Sequence, residues 1–314
     1  MDTPKGLNEF RAGLHGAVID RASPDYSEAR ALYNGMIDKR PAVIARCADV
    51  ADVMTALKFG RESGLTIAIR CGGHNGPGLG SVDDGLVIDL STMKGVRVDP
   101  AARTARVGAG CTQGDVDHAT HAFGLAVPAG IISTTGIAGL TLSGGHGYLS
   151  RKYGLAIDNL LEADVVLADG SFVTASKQNN ADLFWALRGG GGNFGVVTSF
   201  LFQLHPVSNV FAGPVAFDQQ HAATIMKRYR EFLPTASEDL CVFLGLKTVL
   251  SCDPFPKEHW GKRMCLLMCC FNGSEADGRK ALEPLLSAIP EPWFNWMGMM
   301  PYPGVQSMFD GLYP

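Results

Sequence analysis

The sequence of 314 residues lacks the features that define three large classes of protein. Its formal net charge is −4 and its lysines and arginines form no basic stripe, so no nucleic-acid partner is expected. No apolar run approaches the ~18 residues of a membrane-spanning helix, so no membrane partner is expected either. The N-terminus has no apolar core of signal-peptide length after a basic start, which favours a cytoplasmic protein.

The spacing of the cysteines and histidines does not favour a metal site or disulfide bonds. None of the eight cysteines forms a CxxC pair, and Cys269 and Cys270 are adjacent. This pattern predicts neither a zinc site nor a disulfide framework, and it favours small buried thiols in a reducing compartment. His118 and His121 lie three residues apart on a predicted helix, where a solvated face is a better interpretation than a metal site. No metal ligand is therefore predicted.

Three common nucleotide and hydrolase motifs are absent or misplaced. No phosphate-binding P-loop occurs, and the Ser143 region lacks the hydrolase pattern because position 141 is threonine rather than glycine. Residues 190–195, GGGNFG, match G-x-G-x-x-G, but a predicted helix precedes them and a predicted strand follows. The Rossmann mechanism requires the reverse order, so a nicotinamide dinucleotide site is rejected.

Hydrophobic periodicity and turn residues predict alternating strands and helices. Asp169-Gly170 is a hairpin signal, and glycine becomes rare after Pro206 while Met, Trp, Phe and Cys become frequent. A domain boundary is therefore expected near residue 207. The expected strands are 42–46, 65–70, 86–90, 96–98, 103–107, 163–168, 172–175, 195–204, 241–248 and 264–271, and the expected helices are 49–62, 113–122, 180–188, 219–233 and 275–288.

The abundant residue is glycine, with 38 copies, and two glycine-rich regions are the most informative part of the chain. Residues 70–78, RCGGHNGPG, follow an apolar strand, and residues 129–158 hold seven more glycines. Glycines at a strand end allow the backbone to approach an anion closely. A phosphate cradle alone has no need of an imidazole, so His74 indicates a chemical role, although a turn histidine bonded to a carbonyl is the plain alternative. Two such regions suggest a long ligand that contains a pyrophosphate.

The order and spacing of several motifs carry a family resemblance. The motifs are RCGGHN at 70–75, DGLVIDLSTM at 84–93, Gly114-Asp115-Val116, PAGIISTTGIAG at 128–139, SGGHGYLSRKYGL at 143–155, Asp158-Asn159, and RGGGGNFG at 188–195. With these, the chain resembles FAD-linked oxidoreductases of the vanillyl-alcohol oxidase type, which have a PCMH-type FAD-binding domain. More narrowly, it resembles a bacterial member of the berberine bridge enzyme-like family.

The resemblance implies an α+β fold: an N-terminal segment at 1–35, a two-subdomain FAD-binding domain at 36–206 and part of an α+β substrate domain at 207–314. It implies that His74 carries FAD covalently and that backbone N–H groups of 71–75 bind the pyrophosphate. The cofactor-binding residues that it implies are Arg70, Cys71, Gly72, Gly73, His74, Asn75, Gly78, Ser133, Thr134, Thr135, Gly136, Gly139, Ser143, Gly144, Gly145, Gly147, Asn159, Val196 and Val197.

The sequence departs from the family pattern in two places. Many relatives have a second flavin link, from a cysteine at the position that Ile132 occupies here, so a single link is expected. Relatives also continue past the end of this sequence and often supply a tyrosine base there. Tyr148 and Tyr153 are not convincing substitutes, so no catalytic residue is predicted, and the sequence is expected to be a fragment or an inactive form.

The expected function is that of an FAD-dependent oxidase, which takes a hydride from a CH–OH or CH–NH group of a small-molecule substrate and uses O2 as acceptor. In resembling enzymes a residue beside the flavin admits or blocks O2, and alignment puts it at Thr135, whose small side chain favours access. A vestigial flavin-binding protein and a flavin dehydrogenase with another electron acceptor remain open alternatives. The substrate is not predicted.

Overall fold

The computed structural model describes residues 6–312 of the chain. Its α-helices are α1 (Leu7–Ala12), α2 (Tyr26–Ala29), α3 (Val50–Glu62), α4 (Gln113–His121), α5 (Ile137–Leu142), α6 (Ser150–Tyr153), α7 (Ala181–Gly190), α8 (Ala222–Phe232), α9 (Glu275–Leu286) and α10 (Tyr302–Ser307). Its strands are β1 (Ala17–Asp20), β2 (Val43–Arg46), β3 (Ile67–Arg70), β4 (Leu86–Asp89), β5 (Val96–Asp99), β6 (Thr104–Gly108), β7 (Leu125–Ala126), β8 (Leu160–Val166), β9 (Phe172–Ser176), β10 (Val196–Gln203), β11 (His205–Pro206), β12 (Asn209–Asp218), β13 (Leu240–Thr248), β14 (Arg263–Phe271), β15 (Phe294–Asn295) and β16 (Gly298–Pro301).

The chain divides into two units. The first runs to Gly147 and takes in Leu155–Pro206 and the chain from Gln306 onward; the second comprises Tyr148–Gly154 and Val207–Val305. The change of unit after Pro206 falls where the composition changes. The structure also assigns 148–154 to the second unit and returns the last residues to the first, and neither exchange has a signal in the local sequence.

The first unit contains a four-stranded sheet in the order β1-β2-β4-β3, in which β4 runs parallel to both neighbours and β1 is antiparallel to β2. Helix α3 connects β2 to β3. The Asp49 side chain caps this helix by accepting a hydrogen bond from the backbone N–H of Asp52. Val53, Ala56 and Leu57 are buried along one helix face, which explains the apolar periodicity of residues 49–62.

A second sheet of the same unit has five antiparallel strands in the order β5-β6-β10-β8-β9. Its β8–β9 hairpin turns at Asp169-Gly170, where Gly170 has a φ of +90°, as the sequence predicts. Both sheets contribute to one apolar core, with Val43 and Ile88 from the first sheet and Val107 and Phe200 from the second. Burial from two sides explains the continuous apolar runs of these strands.

The second unit is built on an antiparallel sheet in the order β13-β14-β12-β15, with β16 also paired to β12. Alternate residues of β14, namely Cys265, Leu267 and Cys269, lie in the core that α8 and α9 cover. The helices contribute Ile225, Leu282 and Leu285 to that core. The core-facing residues thus recur at every second position in the strand and about every 3.6 positions in the helices, and both sets pack in the same core.

The mixed helices and sheets confirm the predicted α+β class. The predicted strands and helices are all present, with shifts of a few residues at their ends; residues 219–221 form a 3-10 turn before α8. Residues 190–195 do follow a helix and precede a strand, which confirms the rejection of a Rossmann site. Six of the eight cysteines are buried, while Cys71 is half-buried and Cys252 is exposed. No helix among residues 6–312 is long and apolar enough to cross a bilayer.

Candidate cofactor site

The loop at residues 71–81 begins where β3 ends, beside the central strand β4. Arg70, the last residue of β3, is 7% exposed and its Nη2 lies 2.7 Å from Oδ2 of the buried Asp89. A Cβ placed on Gly73 or Gly80 would lie within 3.8 Å of the Arg70 side chain, so the loop folds back over it. Arg70 therefore anchors the start of the loop, and its predicted role as a cofactor ligand stays a prediction.

The loop exposes backbone N–H groups without a partner. Gly73 and Gly78 have φ values of +69° and +75°, which an L side chain rarely adopts. Within residues 6–312, no acceptor binds the N–H groups of 72–76. The Asn75 side chain accepts a hydrogen bond from Leu79 N and so shapes the loop. Consecutive free N–H groups in a glycine turn form a concave anion site, which fits the pyrophosphate of FAD.

A second loop, residues 130–136, lies directly against the first. A Cβ placed on Gly72 would be 2.4 Å from Gly136 N, and one placed on Gly136 would be 2.5 Å from Gly72 N. Glycine is therefore required at both positions for the two backbones to approach this closely. The structure brings Gly72, His74, Thr134 and Gly136 together, as the resemblance implies.

The start of helix α4 holds the second loop in place. The backbone N–H groups of Gln113 and Gly114 donate hydrogen bonds to Thr135 O and Ser133 O, each at 2.8 Å. The Gln113 side chain spans both backbone groups of Gly130, accepting from its N–H at 2.7 Å and donating to its carbonyl at 3.3 Å. A buried glutamine amide satisfied on both sides fixes this loop rigidly.

The His74 imidazole is ordered by contacts on one face and one edge. The Tyr33 ring stacks on it with centroids 4.2 Å apart and planes 11° apart. Its Nε2 lies 3.4 Å from Thr134 Oγ1. Burial lowers the pKa of His74 below its ordinary value, although a hydrogen bond to the Thr134 backbone works in the other direction. Burial thus favours the uncharged form of the imidazole, which is the form that has a nucleophilic ring nitrogen.

Residues 143–147, a later part of the glycine-rich region 129–158, pack against the second loop. A Cβ on Gly147 would lie 2.3 Å from the carbonyl oxygens of Ala129 and Gly130. Gly144 and Gly145 accept backbone hydrogen bonds from Ile157 and Ala156. This places Gly144, Gly145 and Gly147 with the loops, and Ser143 is exposed beside them.

Other predicted ligands occupy separate positions. Asn159 is buried, donates to Leu155 O at 2.9 Å and bonds through Oδ1 to His205 Nε2 at 2.6 Å. Val196 and Val197 are buried in β10 opposite Val166 and Val165. Gly139 lies within α5 with no atom within 4 Å of an added Cβ. The role of these residues toward the cofactor stays a prediction.

Cys71 and the histidines of α4 differ in exposure. Burial raises the pKa of Cys71 to about 12, so this thiol is a poor nucleophile beside His74. The expectation that His118 and His121 share a solvated face holds for His118 alone. His121 is half-buried and its Nδ1 is buried, because α4 packs that side against the unit.

Three residues at or near the site, Gln306, Asp310 and Asp117, have no motif in the sequence that would predict their positions. Ser133 N donates to Gln306 O at 3.1 Å and to Asp310 Oδ1 at 3.2 Å, and Ser133 Oγ also donates to Asp310. Asp117, one turn after Gln113, is 1% exposed, and burial raises its pKa to about 7 despite the nearby amides of Gln306 and Gln113. These contacts join residues far apart in sequence, and only a fold could reveal them.

Known proteins match the chain in sequence. The FAD binding domain family matches residues 41–176. An FAD-linked oxidoreductase of Dictyostelium discoideum is 33% identical over 312 residues, which are 98% of this chain and 65% of that protein. The chain is thus similar to FAD-linked oxidoreductases, and residues 41–176 match the FAD binding domain.

Solved structures of the FAD-linked oxidoreductase family agree with the fold. The 6-hydroxy-D-nicotine oxidase of Arthrobacter nicotinovorans matches with a TM-score of 0.86 and 28% identity, covering 96% of this chain and 65% of that one. BBE-like 1 of Physcomitrella patens also matches with a TM-score of 0.86 and 28% identity, covering 98% and 65%. The chain thus spans just under two thirds of the length of these relatives. The berberine bridge enzyme-like resemblance is confirmed, and the bacterial type stays a prediction.

The contact between Gly72 and Gly136 gives a first prediction about FAD binding. Gly72→Ala should weaken FAD binding about tenfold or more, a change of about 1.4 kcal/mol, because a methyl group would force the two loops apart. The dissociation constant is measured by flavin fluorescence quenching on flavin-free protein. Gly35→Ala is the matched control, since no atom lies within 4 Å of its added Cβ and it lies outside residues 72–76. Equal affinities for the two variants would contradict the contact's importance.

The buried Asp117 gives a second prediction. Its folded pKa of about 7 exceeds the unfolded value of about 3.9, so the folded state holds a proton that the unfolded chain releases between these pH values. The free energy of unfolding of the wild type should therefore fall relative to Asp117→Asn by about 2 kcal/mol between pH 5 and pH 8. Urea denaturation at both pH values measures this difference. A pH-independent difference would show that Asp117 does not titrate there.

Proposed function

We propose that this chain binds FAD in the loops at 72–76 and 130–136, that His74 forms a covalent bond to it, and that the protein is an oxidase of CH–OH or CH–NH groups. The observation that carries the proposal is the position of the His74 imidazole, which lies beside Thr134, next to backbone N–H groups that have no acceptor within residues 6–312, and near the second glycine loop. A site for phosphate alone would need the N–H groups but no imidazole.

Different residues of the chain have different roles in the proposed site. The N–H groups of 72–76 bind the pyrophosphate without a basic side chain, since backbone dipoles supply the positive field. His74 supplies the nitrogen that joins the flavin, and a permanent bond removes dissociation of the cofactor. When bound, FAD accepts the hydride that leaves the substrate and passes its electrons to dioxygen. The loop at 130–136 shapes the space beside the flavin.

Relatives support this reaction class. A solved neighbour is named a 6-hydroxy-D-nicotine oxidase, which points to oxidation of a small organic molecule. A single flavin link through His74 is proposed because Ile132 occupies the position where a second, cysteinyl link would form. The isoleucine side chain has no atom that could displace hydrogen on the flavin.

The covalent bond is tested on purified chain loaded with FAD. After acid precipitation and denaturing electrophoresis, the wild-type band should retain flavin fluorescence and His74→Ala should lose it, because the bond survives unfolding and bound flavin otherwise does not. His118→Ala, an exposed histidine of α4, is the control and should retain it. Peptide mass mapping should locate flavin on His74 only.

Two results would contradict this account. Complete loss of flavin from denatured wild type would refute the covalent bond. Flavin on any cysteine would refute the single link.

The oxygen acceptor is tested at Thr135. We expect fast reoxidation of the reduced wild type by air with release of peroxide, because threonine leaves space beside the flavin that a larger side chain would fill. Thr135→Leu should slow reoxidation about tenfold or more, which corresponds to about 1.4 kcal/mol in the barrier. Stopped-flow absorbance measures the rates. Thr135→Val is the control: it keeps the shape and removes the hydroxyl, so it should match wild type.

The alternatives make different predictions in the same experiment. Slow reoxidation of wild type by air, with fast reoxidation by an artificial electron acceptor, would identify a dehydrogenase. Equal rates in wild type and Thr135→Leu would show that residue 135 does not control oxygen access.

A further inference from the structure

Residues 31–40, here called the brace, lie along the loop that carries His74. The brace precedes the matched FAD-binding region, which starts at residue 41. Its polar groups bind carbonyl oxygens of the loop: Tyr33 N to Gly73 O at 3.4 Å, Asn34 Nδ2 to Gly76 O at 2.8 Å, and Lys39 Nζ to Gly78 O at 2.9 Å and Ser81 O at 3.0 Å. The brace therefore supplies hydrogen-bond donors to four carbonyl oxygens of this loop.

Apolar contacts fix the spacing between brace and loop. Leu32 lies 3.6 Å from the position of a Cβ on Gly73, and Ile37 lies 2.7 Å from that on Gly78. In a trans peptide the carbonyl and the next N–H point in opposite directions. The Gly73 carbonyl faces the brace, so the N–H of His74 points away from it. The brace thus orients the loop's donors toward the anion site.

Tyr33 is the brace residue that reaches the reactive side chain. Its ring covers one face of the imidazole with the planes 11° apart, and Thr134 contacts Nε2 at the edge. A side chain held on one face and one edge cannot rotate freely about its Cβ bonds. Tyr33 is 41% exposed, so its ring is not part of the hydrophobic core. Its stacking contact is with His74.

We propose that Tyr33 is a positioning residue that holds the His74 imidazole in the orientation in which its ring nitrogen bonds to a methyl carbon of the flavin. This inference rests on the proposed covalent link. In the linking reaction one C–H bond of the methyl group and one N–H bond of the imidazole break, and one C–N bond forms. The two electrons and two protons released reduce dioxygen to hydrogen peroxide.

The test follows covalent attachment separately from binding. Flavin-free protein is mixed with excess FAD in air, and total bound FAD and acid-resistant FAD are measured over time. Tyr33→Ala should slow the growth of acid-resistant FAD at least about tenfold, equal to about 1.4 kcal/mol in the barrier, with total bound FAD unchanged. Tyr33→Phe keeps the ring and should attach FAD at the wild-type rate. Met36→Ala is the brace control, since Met36 is 90% exposed.

Three outcomes would overturn the inference. Attachment at the wild-type rate in Tyr33→Ala would show that the stack is not needed. If attachment is as slow in Tyr33→Phe as in Tyr33→Ala, the hydroxyl group is needed and the stacked ring alone is not sufficient. Loss of total bound FAD in Tyr33→Ala would make the residue a structural support of the loop.

A second readout separates this inference from the proposed covalent link. If wild type holds FAD but releases all of it in acid, the link is refuted, and NMR of the flavin-free protein decides the placement of the ring. Stacking on Tyr33 should shift the ring C–H resonances of His74, and Tyr33→Ala should move them toward the positions of an unstacked histidine. Unchanged resonances would refute the positioning role.

Discussion

The site depends on the close approach of two backbones at Gly72 and Gly136. No Cβ fits at either position, since it would lie within 2.6 Å of backbone atoms of the other loop. This approach brings Thr134 to the edge of His74 and sets the free N–H groups of 72–76 beside the second loop. The anion binding and the placement of the imidazole that we propose both depend on this one contact.

Glycine makes that approach possible, and it also makes the loops costly to order, because glycine loses the most backbone freedom on folding. The fold compensates with contacts from outside the loops. The brace binds carbonyls of the first loop, the start of α4 binds carbonyls of the second, and Gln306 and Asp310 bind Ser133. Contacts that hold both loops in place lower the entropic cost of binding a ligand.

The pattern of the sequence predicted much of the fold but only part of the site. The strands and helices followed from periodicity, because the burial of one face is a local property of each segment, as in α3 and β14. A ligand held by both glycine-rich regions was predicted from their composition, whereas the direct contact between Gly72 and Gly136 was not predicted. The positions of Tyr33 and Asp117 were not predicted. Tyr33 lies in a segment without hydrophobic periodicity, and the sequence around Asp117 does not distinguish it from an exposed acidic residue of a helix. Their roles come from contacts with His74 and Gln306, which are distant in the chain.

The central claim is that the glycine loops bind the pyrophosphate of FAD and present it to His74. A crystal structure of the protein grown with FAD tests it most directly. The account predicts pyrophosphate oxygens within hydrogen-bond distance of the N–H groups of 72–76, and continuous electron density from the His74 ring to the flavin. A pyrophosphate bound elsewhere, with those N–H groups open to solvent and the His74 ring separate from the flavin, would contradict it.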